Sequence, residues 1–401
     1  MKPRSTLAPC PPIDLLRRAA ATLLAMAVLA GCGGGVDSGG TGAPAALAAG
    51  PITGLGSIVV GGVRFDDDLA TIVDQDDNAL TPDQLQVGMT THVDASTVVA
   101  SSGQATATAL TIRAISEIIG PVDATGLLGR SLTVLGQPVR ITAATWFDPA
   151  FAGGVASIPV GSVVEVWGQY NARTNEYVAT RVAPRAGAVS YELRGVLTAV
   201  APAAQTLTIG GLTISDASIA PSALPALSIG RFLRVTLAKT PVNGVWIASS
   251  VAPGNRTIPD RSDVRWVGRI SALTSTTQFV VNGLPIDASA ATFSDGGVGI
   301  ALGARVVAFG STTGGSLKAT TVTVLGDETL ANSTFELHGT ITALNASAGT
   351  FRVRGVQVNY TAQVAVSGGA ITDLAAGRSV DVQGTLAANG FSIDASLIVL
   401  H

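Results

Sequence analysis

Cysteine is nearly missing from this chain. Only Cys10 and Cys32 occur in 401 residues, so nothing downstream of residue 32 can form a disulfide, a thiolate metal site or a thiol nucleophile. Histidine is as scarce, with only His92, His338 and His401, and charged residues make up 13% of the chain. Lysine beyond residue 31 is confined to Lys239 and Lys318. A mildly acidic chain with scattered arginines lacks the basic stripe that a phosphate backbone requires, which excludes nucleic acid as an expected partner. No Gly-x-Ser-x-Gly elbow is present, and the three histidines are too dispersed to suggest a triad. Glutamate beyond residue 31 is limited to positions 117, 165, 176, 192, 328 and 336, so paired carboxylates for glycoside cleavage are hard to assemble. No catalytic residue and no cofactor is expected.

What is present begins at the N-terminus. Arg17 and Arg18 precede an apolar run at residues 19–30, followed by Leu29-Ala30-Gly31-Cys32. The run is shorter than the roughly 18 residues of a membrane span and reads as an export signal. The quartet resembles the lipobox of bacterial lipoproteins, which implies lipidation of Cys32 and a membrane anchor. Removal of residues 1–31 takes four of the 24 basic and one of the 27 acidic residues, leaving a net charge of −6. Residues 33–49, rich in Gly, Ala, Ser and Thr, read as a flexible tether. Gly33 after the cysteine, where Asp would favour inner-membrane retention, points to the outer membrane.

The rest of the chain repeats itself five times. An anchor glycine recurs at Gly50, Gly120, Gly195, Gly268 and Gly339, at intervals of 70, 75, 73 and 71 residues. A second anchor, a small or aliphatic residue and then glycine, ends at Gly88, Gly161, Gly230, Gly303 and Gly377. A third, Ala followed by Thr or Ser, stands at Ala107, Ala179, Ala248, Ala319 and Ala395. The expected modules are residues 50–119, 120–189, 190–262, 263–332 and 333–401, after a signal peptide at 1–31 and a lipidated linker at 32–49.

Within each module apolar residues alternate over short runs broken by Gly, Asn and Asp, the period of half-buried strands. Segment 58–65 aligns with 132–139, 207–214, 279–286 and 351–358, with glycine at 62, 136, 211, 283 and 355. Glycine between two apolar runs predicts a tight hairpin. A module of this size buries little surface, and closing its sheet removes the exposed edges. The expected fold is all-β: a tandem array of five small antiparallel β-barrels, each a bead touching its neighbours end to end.

In the strand after the second anchor, alternate residues such as Val164 and Val166 point inward. His92, Glu165, Arg234, Val307 and Asp381 share an outward position expected to face solvent, and His338 is expected at a surface or edge. Trp246 and Trp266 align with aliphatic or aromatic residues of sister copies and read as core. Trp167 and Phe309 share an outward position and are the candidate contact surface.

One local oddity is the acidic loop of the first module: Asp66, Asp67, Asp68, Asp74, Asp76, Asp77 and Asp83. Clustered carboxylates are weak candidates for a hard cation such as calcium. Residues 74–78 begin like a helix-loop-helix calcium loop, but Ala79 stands where the turn glycine belongs and Leu85 where the closing Glu belongs, so that motif fails.

Gly-Arg-Ile-Ser-Ala-Leu at 268–273, Phe-Val-Val-Asn-Gly-Leu-Pro-Ile at 279–286, Leu-Gly-Ala-Arg-Val-Val-Ala-Phe-Gly at 302–310 and Leu-Lys-Ala-Thr-Thr-Val at 317–322 resemble one bacterial family. It is the domain-of-unknown-function family numbered fifty-six sixty-six. The resemblance implies exported proteins or lipoproteins with tandem barrels similar to oligonucleotide/oligosaccharide-binding (OB) folds, and it brings no assigned site residues. The resulting expectation is a non-catalytic cell-envelope lipoprotein, anchored through Cys32, that acts as a multivalent binding or scaffolding module for an envelope glycan or protein. A purely structural spacer is the alternative, and an enzyme acting on an envelope polysaccharide comes third.

Overall fold

The computed structural model describes residues 44–101, 104–126, 129–255, 257–294, 296–326 and 334–401. The expected signal peptide at 1–31, Cys32 and the expected linker as far as residue 43 lie outside them. Among the described residues the regular structure is β-strand with short 3-10 turns. No described helix is long and apolar enough to cross a membrane.

Each module is a closed barrel. In the second, strand Ile118–Thr125 pairs antiparallel with Ser131–Val134 and with Val163–Asn171. Gln137–Arg140 pairs back onto Ser131–Val134 and lies parallel to Glu176–Pro184, which returns antiparallel to Val163–Asn171. In chain order the ring is first-second-third-fifth-fourth-first, the OB order, and its one parallel contact joins the third and fifth strands. The same ring closes in the other four modules. Every ring strand therefore has two partners and no edge is left open.

The anchors have a common physical cause. The first-anchor glycines sit on the first strand opposite the fourth, as in Gly120↔Val164 and Gly195↔Leu233. Just beyond each one the strand breaks register at a bulge and bends onto the second strand. A β-carbon on Gly120 would strike Leu135, and one on Gly195 would strike Ile209. The second-anchor glycines adopt φ between +80° and +89°, and each amide donates to the first strand of its own barrel. Those bonds are Gly88 to Ile52 at 2.9 Å, and Gly161 to Val122, Gly230 to Leu197, Gly303 to Ile270 and Gly377 to Ile341 at 2.8 Å.

The third anchor needs one correction. Ala179, Ala248, Ala319 and Ala395 all face the bulge of the fourth strand, but in the first barrel that place belongs to Ala109, not Ala107. The two-residue slip preserves which face is buried, so alternation alone does not reveal it.

The barrels do not string out as beads. Residues 44–401 form one compact unit, and sheets run between modules that are distant in sequence. Ala46–Leu55, the first strand of barrel 1, pairs parallel with the first strand of barrel 4 through Ala46↔Asp263 to Ala49↔Trp266. It also pairs with that of barrel 5 at Gly54↔Glu336 and Leu55↔Leu337. Barrels 2 and 3 join at Ile119↔Glu192 and Ile118↔Leu193.

The cores follow the same grouping. Ala46, Ala48 and Ile52 belong to a core shared with barrel 5, whereas Leu47 and Ala49, on the opposite face of the same strand, complete the core of barrel 4. A third core spans barrels 2 and 3. The strand is buried on both faces because its two sides serve two barrels.

Candidate functional site

The packing of barrels 1 to 4 leaves a cavity of about 550 Å³ between them, within the range of roughly 300–1,000 Å³ typical of small-ligand sites. Its polar centre is Glu117, which lies between the last strand of barrel 1 and the first of barrel 2. The Glu117 amide donates to Val166 O at 2.9 Å, and its carbonyl accepts from Arg194 N at 2.9 Å. These two bonds fix it against the fourth strand of barrel 2 and the first strand of barrel 3. Its carboxyl Oε2 is buried without a hydrogen-bond partner. The residue as a whole is half-buried and lines the cavity. Burial raises the pKa of this carboxyl to about 7; Arg194 opposes that shift and Glu192 adds to it.

Arg194 is the matching buried base. Its Nε donates to Ser116 O at 3.1 Å, Nη1 to Gly254 O, and Nη2 to Gln75 Oε1 at 3.1 Å. Burial lowers its pKa, while Glu117 and Glu192 raise it. Gln75 comes from barrel 1, so one guanidinium ties barrel 3 to barrel 1 and to the bend that leads into barrel 2. Beside it, Arg234 grips Glu192 through both carboxylate oxygens at 2.5 and 2.7 Å and reaches Asp76 of barrel 1 at 2.7 Å. Burial works against the Arg234 charge, but these bonds outweigh it and raise its pKa; Asp76 is lowered by the same contact.

The remaining walls are aromatic and amide. Tyr170 and Phe232 lie with ring centroids 6.3 Å apart on the side of barrels 2 and 3, and His92 and Trp266 lie 5.0 Å apart on the side of barrels 1 and 4. Trp266 Nε1 donates to Val281 O at 3.0 Å, and Gln169 Nε2 reaches across to Val267 O at 3.3 Å.

Three segments of the chain, residues 119–183, 267–323 and 338–399, match the family model described as Domain of unknown function (DUF5666). They fall on barrels 2, 4 and 5. These three barrels are similar to that family. No curated protein matches the chain. Of the polar residues that line the cavity, Gln75, Glu117 and Arg194 fall outside the matched segments, whereas Gln169 and Asn282 fall within them.

Trp167 is not a contact surface. It is 4% exposed. Its outward position does point away from its own DUF5666 barrel, but the surrounding modules cover that face. Phe309 is half-buried, and the Arg265 guanidinium lies 4.5 Å from its ring centroid while donating to Gly61 O of barrel 1 at 2.9 Å. The same packing explains the other outward residues. His92, Glu165, Arg234, Val307 and Asp381 are all half-buried where solvent exposure was expected.

The core reading of Trp266 is correct, at 3% exposed, and Trp246 packs half-buried against the shared core of barrels 2 and 3. His338 and the terminal His401 do converge, on Asp381: His338 Nδ1 lies 2.7 Å from Oδ1 and His401 Nε2 lies 3.2 Å from Oδ2. Glu336 and Arg64 complete this contact between barrels 1 and 5, with Arg64 Nη2 2.6 Å from Glu336.

The acidic loop is dispersed. Asp74 closes its own turn by accepting from Asp76 N at 2.8 Å and Asn78 N at 3.0 Å, and Asp66 accepts from Asp68 N at 3.2 Å. Asp76 goes to Arg234, and Asp77 pairs with Arg113 at 2.6 Å. Asp67 is buried, which raises its pKa. Asp68 and Asp83 are exposed. Among the described residues no three His, Cys, Asp or Glu side chains are grouped to hold a metal. Cys32 lies outside the described residues.

Proposed function

We propose that the protein is a non-catalytic binding module of the cell envelope, tethered to the outer membrane by lipid on Cys32, and that the junction cavity is its binding centre. The observation that carries this reading is a cavity of about 550 Å³ that four barrels build together and that Glu117, Tyr170 and Phe232 line. Four of the five copies then act as walls of one composite site instead of separate weak sites. A spacer would need length, and barrels folded back on one another provide little of it.

An enzyme is the second reading, because a buried carboxyl with a pKa near neutrality suits a general acid. Against it, Glu192, whose charge only adds to the shift that burial imposes on Glu117, is already held at both oxygens by Arg234.

The test is a thermal-shift measurement on residues 33–401 against peptidoglycan fragments, lipopolysaccharide and envelope polysaccharide. A ligand at about 100 times its Kd stabilises the fold by roughly 2.7 kcal/mol. A shift with one fraction and no turnover supports the binding module. Turnover supports the enzyme, and no shift with any fraction overturns both. Fatty-acid labelling in cells that is lost in Cys32→Ala tests the anchor.

A further inference from the structure

We infer that barrel 3 carries an interaction site independent of the junction cavity: the outer edge of its fifth strand takes an extended, uncharged segment of a partner protein as an added parallel strand. The other four barrels show what this edge lacks.

Each fifth strand runs on past its contact with the third. In four barrels a short strand between the third and fourth covers that stretch in parallel. Thr71–Val73 lies on residues 111–113 in barrel 1, and Trp146–Phe147 on residues 181–182 in barrel 2. Thr292–Phe293 lies on residues 321–322 in barrel 4, and Ala365–Ser367 on residues 397–399 in barrel 5. The following residue extends the ladder: Asp148 N donates to Val182 O at 2.9 Å, and Ser294 N to Val322 O at 3.2 Å.

Barrel 3 has no such strand. Counted from Ile214 and Ile286, the matching residues of the two third strands, Ala220 and Pro221 stand where Thr292 and Phe293 pair. Proline brings no amide and a fixed φ. It opens the 3-10 turn Pro221–Ala223, in which Ala220 O accepts from Ala223 N at 2.8 Å. That carbonyl is the acceptor a parallel strand would have offered. Ala220 and Pro221 are both exposed. The fifth strand, Trp246–Pro253, therefore meets the third only at Trp246 and Ile247. Among the described residues no strand covers its further edge at residues 249–252. Val251 faces Val235 as Val182 faces Val166, so its amide and carbonyl turn to the open side, as those of Val182 turn to the covering strand.

The edge also lacks the devices that blunt an open strand. Ser249, Ser250, Val251 and Ala252 include no charge and no proline, and both serines are exposed. The covering strands of the sister barrels define what fits. Opposite the counterpart of Val251 they place Ile72, Phe147, Phe293 or Val366, and none of the four contains a charged residue. A peptide added here gains main-chain bonds to Val251 and sets one apolar side chain beside it. A second copy pairing through the same edge about a two-fold axis would run antiparallel, against all four precedents within the chain.

The experiment is NMR amide exchange and shift mapping on residues 33–401. The probe is the acetylated and amidated hexapeptide Ser-Ala-Ala-Thr-Phe-Ser, the sequence of residues 289–294. A control peptide has proline in place of the last serine and so lacks the amide that would donate to Val251 O. In the free chain the Val251 amide should exchange about tenfold or more faster than those of Val182 and Val322. The probe should bind saturably, slow that exchange and shift the amides of residues 248–252. The control should bind about tenfold or more weakly.

A Val251 amide as protected in the free monomer as its two counterparts would overturn the open edge. Equal binding of both peptides, or shifts confined to other residues, would overturn the added strand. A concentration-dependent dimer that protects Val251 while the probe fails to bind would give the edge to a second copy and overturn the peptide reading. A monomer that binds no probe overturns it as well. None of these outcomes bears on the junction cavity, whose own test is the thermal shift.

Discussion

The amide of Arg194 donates to the carbonyl of Glu117 at 2.9 Å, which sets a buried base on the first strand of barrel 3 against an acid in the bend that leads into barrel 2. Neither side chain completes a pair with the other through a direct hydrogen bond. Arg194 spends its donors on two carbonyls and Gln75, and Glu117 keeps one oxygen unsatisfied. The backbone thus holds the acid at the cavity, while the base serves mainly to join barrel 3 to barrel 1.

Glu117 should make stability fall as pH rises. Its folded pKa of about 7 lies above the ordinary value of 4.5, so the native state binds the proton more tightly than the unfolded chain. The resulting stabilisation is complete below pH 4.5 and is lost progressively as pH rises to about 7, on the order of 3 kcal/mol in all. Glu117→Gln should melt close to the native protein at pH 5 and several degrees above it at pH 8. Parallel melting curves at both pH values would contradict the raised pKa.

Two anchor glycines should fail for different reasons. Gly161 has φ +85° and open space, with nothing within 4 Å of the point a β-carbon would occupy, so Gly161→Ala carries backbone strain alone, roughly 1–2 kcal/mol, and Gly161→Asn should recover part of it. Gly120→Ala drives a methyl into the fully buried Leu135 and should cost roughly 1–3 kcal/mol or more. There Asn should be worse than Ala. Chemical denaturation of the four variants checks the crossover.

Asp381 sits under two imidazoles, His338 at 2.7 Å and His401 at 3.2 Å. Burial would raise its pKa, but the hydrogen bonds and charges of the two histidines outweigh that and hold it below the usual carboxylate range. A depressed carboxylate contributes stability above its unfolded pKa, and that contribution disappears as pH falls through the folded value. Asp381→Asn should therefore lower stability at neutral pH by less than about 1 kcal/mol, given the partial exposure of the pair, and should have no effect at about pH 2. Equal losses at both pH values would point to packing in place of charge.

Alternation and turn glycines made the barrel legible in sequence. The hairpin register read at 58–65 and its four counterparts is the register of the structure, with Ile58↔Phe65, Leu132↔Val139, Leu207↔Ile214, Phe279↔Ile286 and Phe351↔Val358. Which face of a strand is outward was legible too, as at Trp167. What covers that face was not, because inter-barrel pairing depends on contacts between positions such as Ala46 and Asp263 that leave no periodic trace. Glu117 escaped for the same reason. It stands between two repeats, where no sister residue marks it, and only the assembled barrels bury it. A clue was available at the position before the anchor glycine, where Arg194 and His338 place polar groups in a slot that holds Ala49, Ile119 and Val267 elsewhere.

The grouping of the barrels should decide which pieces fold. Barrels 2 and 3 share one core from Ile118 to Val251 and pair with each other through their first strands, so residues 117–255 alone should melt cooperatively. Residues 44–116 should not. In barrel 1 the strand Ala46–Leu55 gives Leu47 and Ala49 to barrel 4, while Ile52 and Leu55 lie in a core continuous with Phe335, Leu337 and Phe351 of barrel 5. Excising barrel 1 exposes both faces of that strand, and small domains have little burial to spare. Circular dichroism with thermal melting of the two fragments distinguishes the cases. A sharp transition for residues 44–116 would mean that each module is a self-sufficient bead, and the junction cavity would then depend on weak docking between beads. A transition for residues 117–255 only would mean that the cavity is built in as the outer barrels close around a preformed pair.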